Sequence, residues 1–165
     1  MSDFVVDSNV WVQVDKSPGD CKTEKELSCL KVSRDWLRVF VDGDDKLAVD
    51  STYRILLEYR EQIRRYAPNG LARQWLNRLE TKPRDRKLVE VDIEFDADGY
   101  AIIPDGLFDD EDDRKFIAVA LMFDPPCPIA NATDTDWEEN KTKLLEAMIT
   151  VVELCPDYIQ AKLKT

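Results

Sequence analysis

Apolar positions along this chain alternate between short continuous runs and stretches with helical spacing. Phe4-Val5-Val6 is a short apolar run that ends at Asp7, the pattern of a buried parallel strand with an acid at its C-terminal end. Ser8-Asn9 reads as a turn, and residues 16–23, polar and containing Pro18 and Gly19, read as a loop. From about Glu24 to Phe40, Leu27, Leu30, Trp36, Leu37 and Phe40 recur with helical spacing. After the turn at Val41-Asp42-Gly43-Asp44-Asp45, Leu47-Ala48-Val49 predicts a second strand, ending at Asp50. Ser51 or Thr52 is the expected cap of a helix carrying Ile55, Leu56, Tyr59, Ile63 and Tyr66, stopped by Pro68-Asn69-Gly70. Leu71, Trp75 and Leu79 predict another amphipathic helix, followed by Pro83.

The pattern then changes. Leu88, Val89, Val91, Ile93 and Phe95 largely alternate with charged residues, Asp96-Ala97-Asp98-Gly99 reads as a turn, and Tyr100 to Ile103 returns. This predicts a β-hairpin or edge pair near 88–103. Asp105 to Asp113 is an acidic loop. Phe116 to Phe123 predicts a helix ended by Pro125-Pro126, and Cys127 to Ala132 a strand. Trp137 to Met148 predicts a helix with Leu144, Leu145 and Met148 inward, and Val151 to Leu154 a last strand. Strands that alternate with helices imply an α/β fold, with parallel βαβ units, a mostly parallel central sheet and an inserted hairpin. No repeat or linker divides the chain, so residues 1–165 read as one domain. Ligands of such sheets bind at the C-terminal ends of the strands, which draws attention to Asp7, Asp134 and Asp136.

Composition narrows the chemistry. A chain of 165 residues with 44% hydrophobic and 35% charged residues is that of a globular protein. No apolar run approaches the ~20 residues that span a bilayer, and the N-terminus has neither the basic nor the apolar region of a signal peptide, so a cytoplasmic location is the default expectation. Cys21, Cys29, Cys127 and Cys155 lack CxxC spacing and are expected to be reduced thiols. There is no histidine, which excludes Ser-His-Asp and Cys-His catalysis and imidazole-bound zinc. Carboxylates abound: 34 acids against 23 bases give a net charge of −11. Such a surface repels bulk nucleic acid. Residues 60–87 run the other way, with nine cations against three anions. Arg60, Arg64, Arg65, Arg84 and Arg86 are therefore candidate contacts to nucleic-acid phosphates, or else the solvated face of two helices paired with acids elsewhere.

Asp7, Glu58, Asp113 and the pair Asp134 and Asp136 are distant in sequence but placed to converge. Two carboxylates about 4 Å apart repel by roughly 4 kcal/mol at an effective dielectric near 20, so a cluster of them requires protons or a cation. Mg²⁺ or Mn²⁺, hard ions that take oxygen ligands, fit the demand. Each acid also has an ordinary structural reading. Asp7 can close a turn, and Glu58 can face solvent on its helix. Asp113 can cap a helix, with its register open to Asp112 or Asp110, and Asp134 and Asp136 can cap the helix at Trp137. Trp137 itself reads as core.

These segments resemble the PIN-domain nucleases. Phe4-Val5-Val6-Asp7-Ser8-Asn9-Val10 is similar to the strand, Asp, small residue and Asn that open that family. Leu56-Leu57-Glu58-Tyr59-Arg60 is similar to its second motif. Asp110-Glu111-Asp112-Asp113-Arg114-Lys115-Phe116-Ile117-Ala118 is similar to its third, and Asn131-Ala132-Thr133-Asp134-Thr135-Asp136-Trp137 to its fourth. Order and approximate separations agree over nearly the whole chain. The resemblance implies a Rossmann-like three-layer α/β/α sandwich. It implies divalent-metal hydrolysis of a phosphodiester, with single-stranded RNA the expected substrate. Asp7, Glu58, Asp113, Asp134 and Asp136 would be the metal-binding set, with Asn9 and Thr133 supporting it. Many relatives are toxins held by an antitoxin, so a protein antitoxin or regulator is an expected class of partner, and a homodimer stays open. The alternative is a PIN-like interaction protein without catalysis; a phosphatase ranks behind both, because Asn9 stands where that chemistry places a second aspartate. Asp50, at a strand end where the family more often has a small hydroxyl residue, departs from the pattern.

Overall fold

In the computed structural model, which describes residues 2–66, 70–81 and 87–165, five short strands form one parallel sheet. In chain order the strands are β1 (Asp3–Val6), β2 (Lys46–Asp50), β3 (Leu88–Val91), β4 (Ile129–Asn131) and β5 (Val151–Glu153). Across the sheet they run β3-β2-β1-β4-β5, every pairing parallel. The helices are α1 (Ser8–Asp15), α2 (Glu24–Asp42), α3 (Arg54–Tyr66), α4 (Leu71–Thr81), α5 (Arg114–Leu121), α6 (Asp136–Glu139), α7 (Lys141–Glu146) and α8 (Pro156–Leu163). From β1 the chain steps outward through β2 to β3, then returns past the centre to place β4 on the other side of β1. That reversal makes the C-terminal ends of β1 and β4 the topological switch point, where doubly wound sheets open a crevice. The expected α/β architecture with a Rossmann-like, helix-flanked parallel sheet is what the chain adopts.

The central strands are apolar on both faces because both faces are covered. Val5, Val6, Leu47, Ala48, Val49, Ile129 and Ala130 are fully buried. Helices α1 to α4 pack on one another, α8 lies against α2, and α5 crosses β1, β2 and β4. Trp11 of α1 packs on Tyr59 of α3 with ring centroids 5.5 Å apart. The Tyr59 hydroxyl donates to the Val6 carbonyl, which fixes α3 directly beside the end of β1. No helix among the described residues is long and apolar enough to cross a membrane.

Several local expectations change. Ser8-Asn9 does not turn the chain; Asp7 accepts from the Asn9 N–H and starts α1, whose Val10, Trp11 and Val14 are buried. The hairpin expected at 88–103 is smaller. Leu88–Val91 joins the parallel sheet beside β2, and only a narrow loop remains, closed by the Phe95–Ala101 bridge and the Ile102 N–H to Glu94 carbonyl bond. The helix expected over 137–148 breaks at Asn140 into α6 and α7. Leu144 is buried as expected, but Leu145 and Met148 are 52% and 68% exposed; the chain leaves α7 through Met148, in the left-handed region at φ 64°, before entering β5. Helix α8 was not legible in the apolar spacing. The cysteines are not all reduced: Cys29 of α2 and Cys155, just ahead of α8, form a disulfide with Cα atoms 5.2 Å apart, while Cys21 and Cys127 are free. Tertiary packing of α8 on α2 brings together two thiols separated by 126 positions.

Asp50 has a structural task of its own. It is fully buried, and its oxygens accept from the Arg54 N–H at 3.0 Å, the Ile55 N–H at 2.9 Å and the Thr52 hydroxyl at 2.6 Å. It, and not Ser51 or Thr52, caps α3; Ser51 instead donates to Asp92. Removing it strands two backbone donors at a buried helix start. Asp50→Ala is expected to cost about 3 kcal/mol in chemical denaturation, and Asp50→Asn, which keeps one acceptor, about half as much.

Candidate functional site

At the switch point three aspartates from three segments meet. One carboxylate oxygen from each of Asp7, Asp113 and Asp134 lies within 4.8 Å of the others. Asp7 follows β1, Asp134 follows β4, and Asp113 immediately precedes α5. A second group, Asp110, Asp113 and Asp136, meets the same criterion and shares Asp113. Oxygens bound to one octahedral ion at about 2.1 Å stand roughly 3 to 4 Å apart. The first group is thus gathered close to the coordination sphere of a single hard cation.

Each aspartate is held in place. Asp7 is only 5% exposed; one oxygen accepts from the Asn9 N–H at 3.2 Å and the other from the indole N–H of Trp137. Trp137 is fully buried, as a core residue should be, but its polar edge is what orients the acid. Asp113 occupies the N-cap position of α5 yet makes no capping bond, so its carboxylate is left to the cluster. Asp112 is exposed and joins neither group, whereas Asp113 belongs to both and Asp110 to the second. The acidic loop before it is pinned by buried Leu107 and Phe108, the latter packed on Trp137 at 4.6 Å between centroids. Asp134 accepts from the Asp136 N–H at 3.0 Å, so it does cap the turn into α6 as well as face the cluster.

Asn9 and Asn131 form the clamp behind this arrangement. Asn9 Nδ2 donates to Asn131 Oδ1 at 2.9 Å, and Asn9 Oδ1 accepts from the N–H groups of Ala132 and Thr133 at 2.9 and 3.3 Å. Asn131, fully buried, bonds both the N–H and the carbonyl of Asp134, at 3.2 and 2.8 Å, and donates to Glu153 at 2.8 Å. Asn9 thereby grips the segment that carries Asp134. Thr133 lines the cleft with Asp7, Ser8, Asn9, Val12, Gln13, Glu58, Gln62, Asp113 and Asp134, around a volume of about 280 Å³.

Glu58 lines the same cleft but joins neither group of gathered oxygens. One of its oxygens accepts from the Ser8 hydroxyl and the other pairs with Lys115 Nζ at 2.9 Å, both side chains mostly buried. Lys115 was not singled out from the sequence, and neither was Arg54. Arg54 stacks over Phe95, 3.7 Å from the ring centroid, and with Lys115 and Glu58 lines an adjoining cleft of about 170 Å³ beneath the 94–102 loop. Helical spacing carries the signal for Arg54: with Glu58 and Gln62 it forms one row at intervals of four. The arginines chosen from charge density lie elsewhere. Arg60 pairs with Glu80 at 2.7 Å, and Arg64 and Arg65 pair with Glu61 at 3.0 and 3.1 Å. Arg84 and Arg86 fall outside the described residues.

Gathering acids in a buried crevice pushes their proton affinities up. Burial raises Asp113 from 3.8 to about 9, with the neighbouring Asp7 adding to it, and raises Asp7 to about 7, with Asp134 adding to it and Trp137 opposing. Asp136 and Glu153 are also raised, chiefly by burial. Between pH ~4 and the raised values the folded chain binds more protons than the unfolded chain, so this contribution to stability falls as pH rises through that window. In chelator, the unfolding midpoint is expected to drop between pH 6 and pH 9. Asp113→Asn is expected to flatten that drop and to unfold at a higher temperature than the parent at pH 8.5, as read by circular dichroism melts.

Comparison with protein-family models, with curated proteins and with solved structures returns no match for this chain.

Proposed function

We propose that the protein is a metal-dependent phosphodiesterase acting on RNA. The observation that carries the reading is the meeting of Asp7, Asp113 and Asp134, from three separate segments, at the switch point of a parallel sheet. The order and spacing of these acids, which resemble those of the PIN-domain nucleases, support it. A donor set made only of carboxylates, with no histidine in the chain, suits Mg²⁺ or Mn²⁺ and not a softer ion. When bound, such an ion lowers the pKa of a water and steadies charge on a phosphoryl oxygen.

The residues would divide the work as follows. Asp7, Asp113 and Asp134 would hold the cation, and the Trp137 and Asn9 N–H groups keep Asp7 from rotating away. The Asn9–Asn131 clamp sets the height of Asp134 relative to Asp7. Glu58, across the cleft, would orient the attacking water and receive its proton once Ser8 or Lys115, 2.9 Å away, released one of its oxygens. One oxygen each of Asp110 and Asp136 lies within 4.8 Å of Asp113, and both would supplement the negative field there.

The test is hydrolysis of a labelled single-stranded RNA with Mn²⁺ and with chelator. Asp7→Asn is expected to remove several kcal/mol of transition-state stabilisation, roughly a thousandfold in rate. Undiminished cleavage by that variant would sink the reading. A second reading, a PIN-like interaction protein without catalysis, is favoured by the engagement of Glu58 by Lys115 and Ser8. A binding ion raises the unfolding midpoint by mass action. Mn²⁺ is expected to raise it for the parent and not for Asp113→Asn; no shift in the parent would favour the second reading.

A further inference from the structure

We propose that the cleft between α3 and α4 is a second site, one that holds backbone phosphates of a single-stranded RNA away from the acidic cleft. It takes its substrate class from the hydrolase reading but stands on its own geometry. Arg60, Ile63, Arg64, Arg73, Leu76 and Asn77 line a volume of about 280 Å³. Among the described residues, none that bears a carboxylate lines it, in a chain of net charge −11. Ile63 and Leu76, each 3% exposed, form an apolar floor, and three guanidinium groups stand around it.

Two of the three are held by carboxylates. Glu80, whose side chain is 18% exposed, holds Arg60 at 2.7 Å, and Glu61 holds Arg64 at 3.0 Å. Each carboxylate engages one nitrogen of a fork that has five N–H donors, so donors remain for a phosphate oxygen. Arg73 makes no ion pair among the described residues. Exposed pairs such as Arg64–Glu61 are weak and yield to a stronger anion. Planar guanidinium forks bind phosphate oxygens bidentately, and three of them around one cleft can engage successive phosphates of a strand.

Position on α3 separates the two sites. Glu58 and Gln62 face the acidic cleft, whereas Arg60 and Arg64 line the other one. The clefts therefore flank one helix about 10–12 Å across. An RNA strand crossing α3 presents one phosphate to the aspartates and another, a few nucleotides along, to the arginines. A strongly acidic protein thereby retains a polyanion through a local cationic cleft, while its acids remain available for the ion.

The test is binding of a fluorescein-labelled 20-nucleotide oligouridylate in chelator, followed by anisotropy across a salt series. The exposed pair Arg64→Gln/Arg73→Gln leaves the fold's buried contacts intact. This variant is expected to bind roughly tenfold more weakly at low salt, with the log–log salt slope reduced by about 1.4. Arg38→Gln, on α2, is the control for bulk charge. A labelled trinucleotide, short enough to sit in this cleft alone, is expected to bind the parent more weakly than the 20-mer and to lose affinity in the variant as well. Unchanged 20-mer affinity and slope in the variant would overturn the proposal. So would an equal loss in Arg38→Gln, or an oligoglutamate peptide that competes as well as RNA. Because no ion and no cleavage enter the measurement, failure of the hydrolase reading leaves this result interpretable, and the reverse also holds.

Discussion

The burial of Asp7 is the constraint around which the rest of the molecule is arranged. A carboxylate that is 5% exposed at the end of the central strand is costly unless hydrogen bonds, a proton or a cation compensate. Asp7 has two donors, the Asn9 N–H and the Trp137 indole, and also faces Asp134 and Asp113. The donors come from both halves of the fold: α1 follows β1, whereas Trp137 belongs to α6 beyond β4. The residue that carries the unfavourable charge is thus also the residue on which the two halves meet.

The acids remain together because neutral amides support them from behind. Asn9 and Asn131 bond to each other and to the backbone of 132–134, so the position of Asp134 follows from β1 as much as from β4. An amide suits this position, since it offers donors and acceptors together without adding a fourth charge to a crowded crevice. Raised proton affinities in Asp113 and Asp7 are the electrostatic trace of that crowding. A site that is less stable when its acids ionise is one that a cation would reinforce.

Much of this was legible in the chain because it is local. Apolar runs ending in an acid mark β1 and β2, and intervals of three and four mark α2, α3 and α4, since burial on one or two faces writes those periods directly. Asp7, Asp113 and Asp134 are readable because strand ends and helix starts are positions that local pattern locates. What was not legible depends on partners distant in sequence. Leu88–Val91 alternates like one arm of a hairpin, yet pairs with β2 in parallel, a choice made by the sheet edge and not by the segment. Lys115 looks like an ordinary helix cation until folding sets it 2.9 Å from Glu58, 57 positions away. The density of arginines at 60–87 marked a cationic stretch but not that Arg60 and Arg64 line a cleft apart from the acids.

The Cys29–Cys155 bridge has a topological consequence. It closes a covalent ring that contains β2, β3, β4 and β5 but leaves out β1. Closing a ring of that length removes on the order of 5 kcal/mol of chain entropy from the unfolded state in the entropic account. Within the ring, the pair β3-β2 and the pair β4-β5 share no ladder; each is joined to the other only through β1. The strand that delivers Asp7 is therefore the one inserted from outside a closed loop, and the sheet is continuous only while that strand is in place.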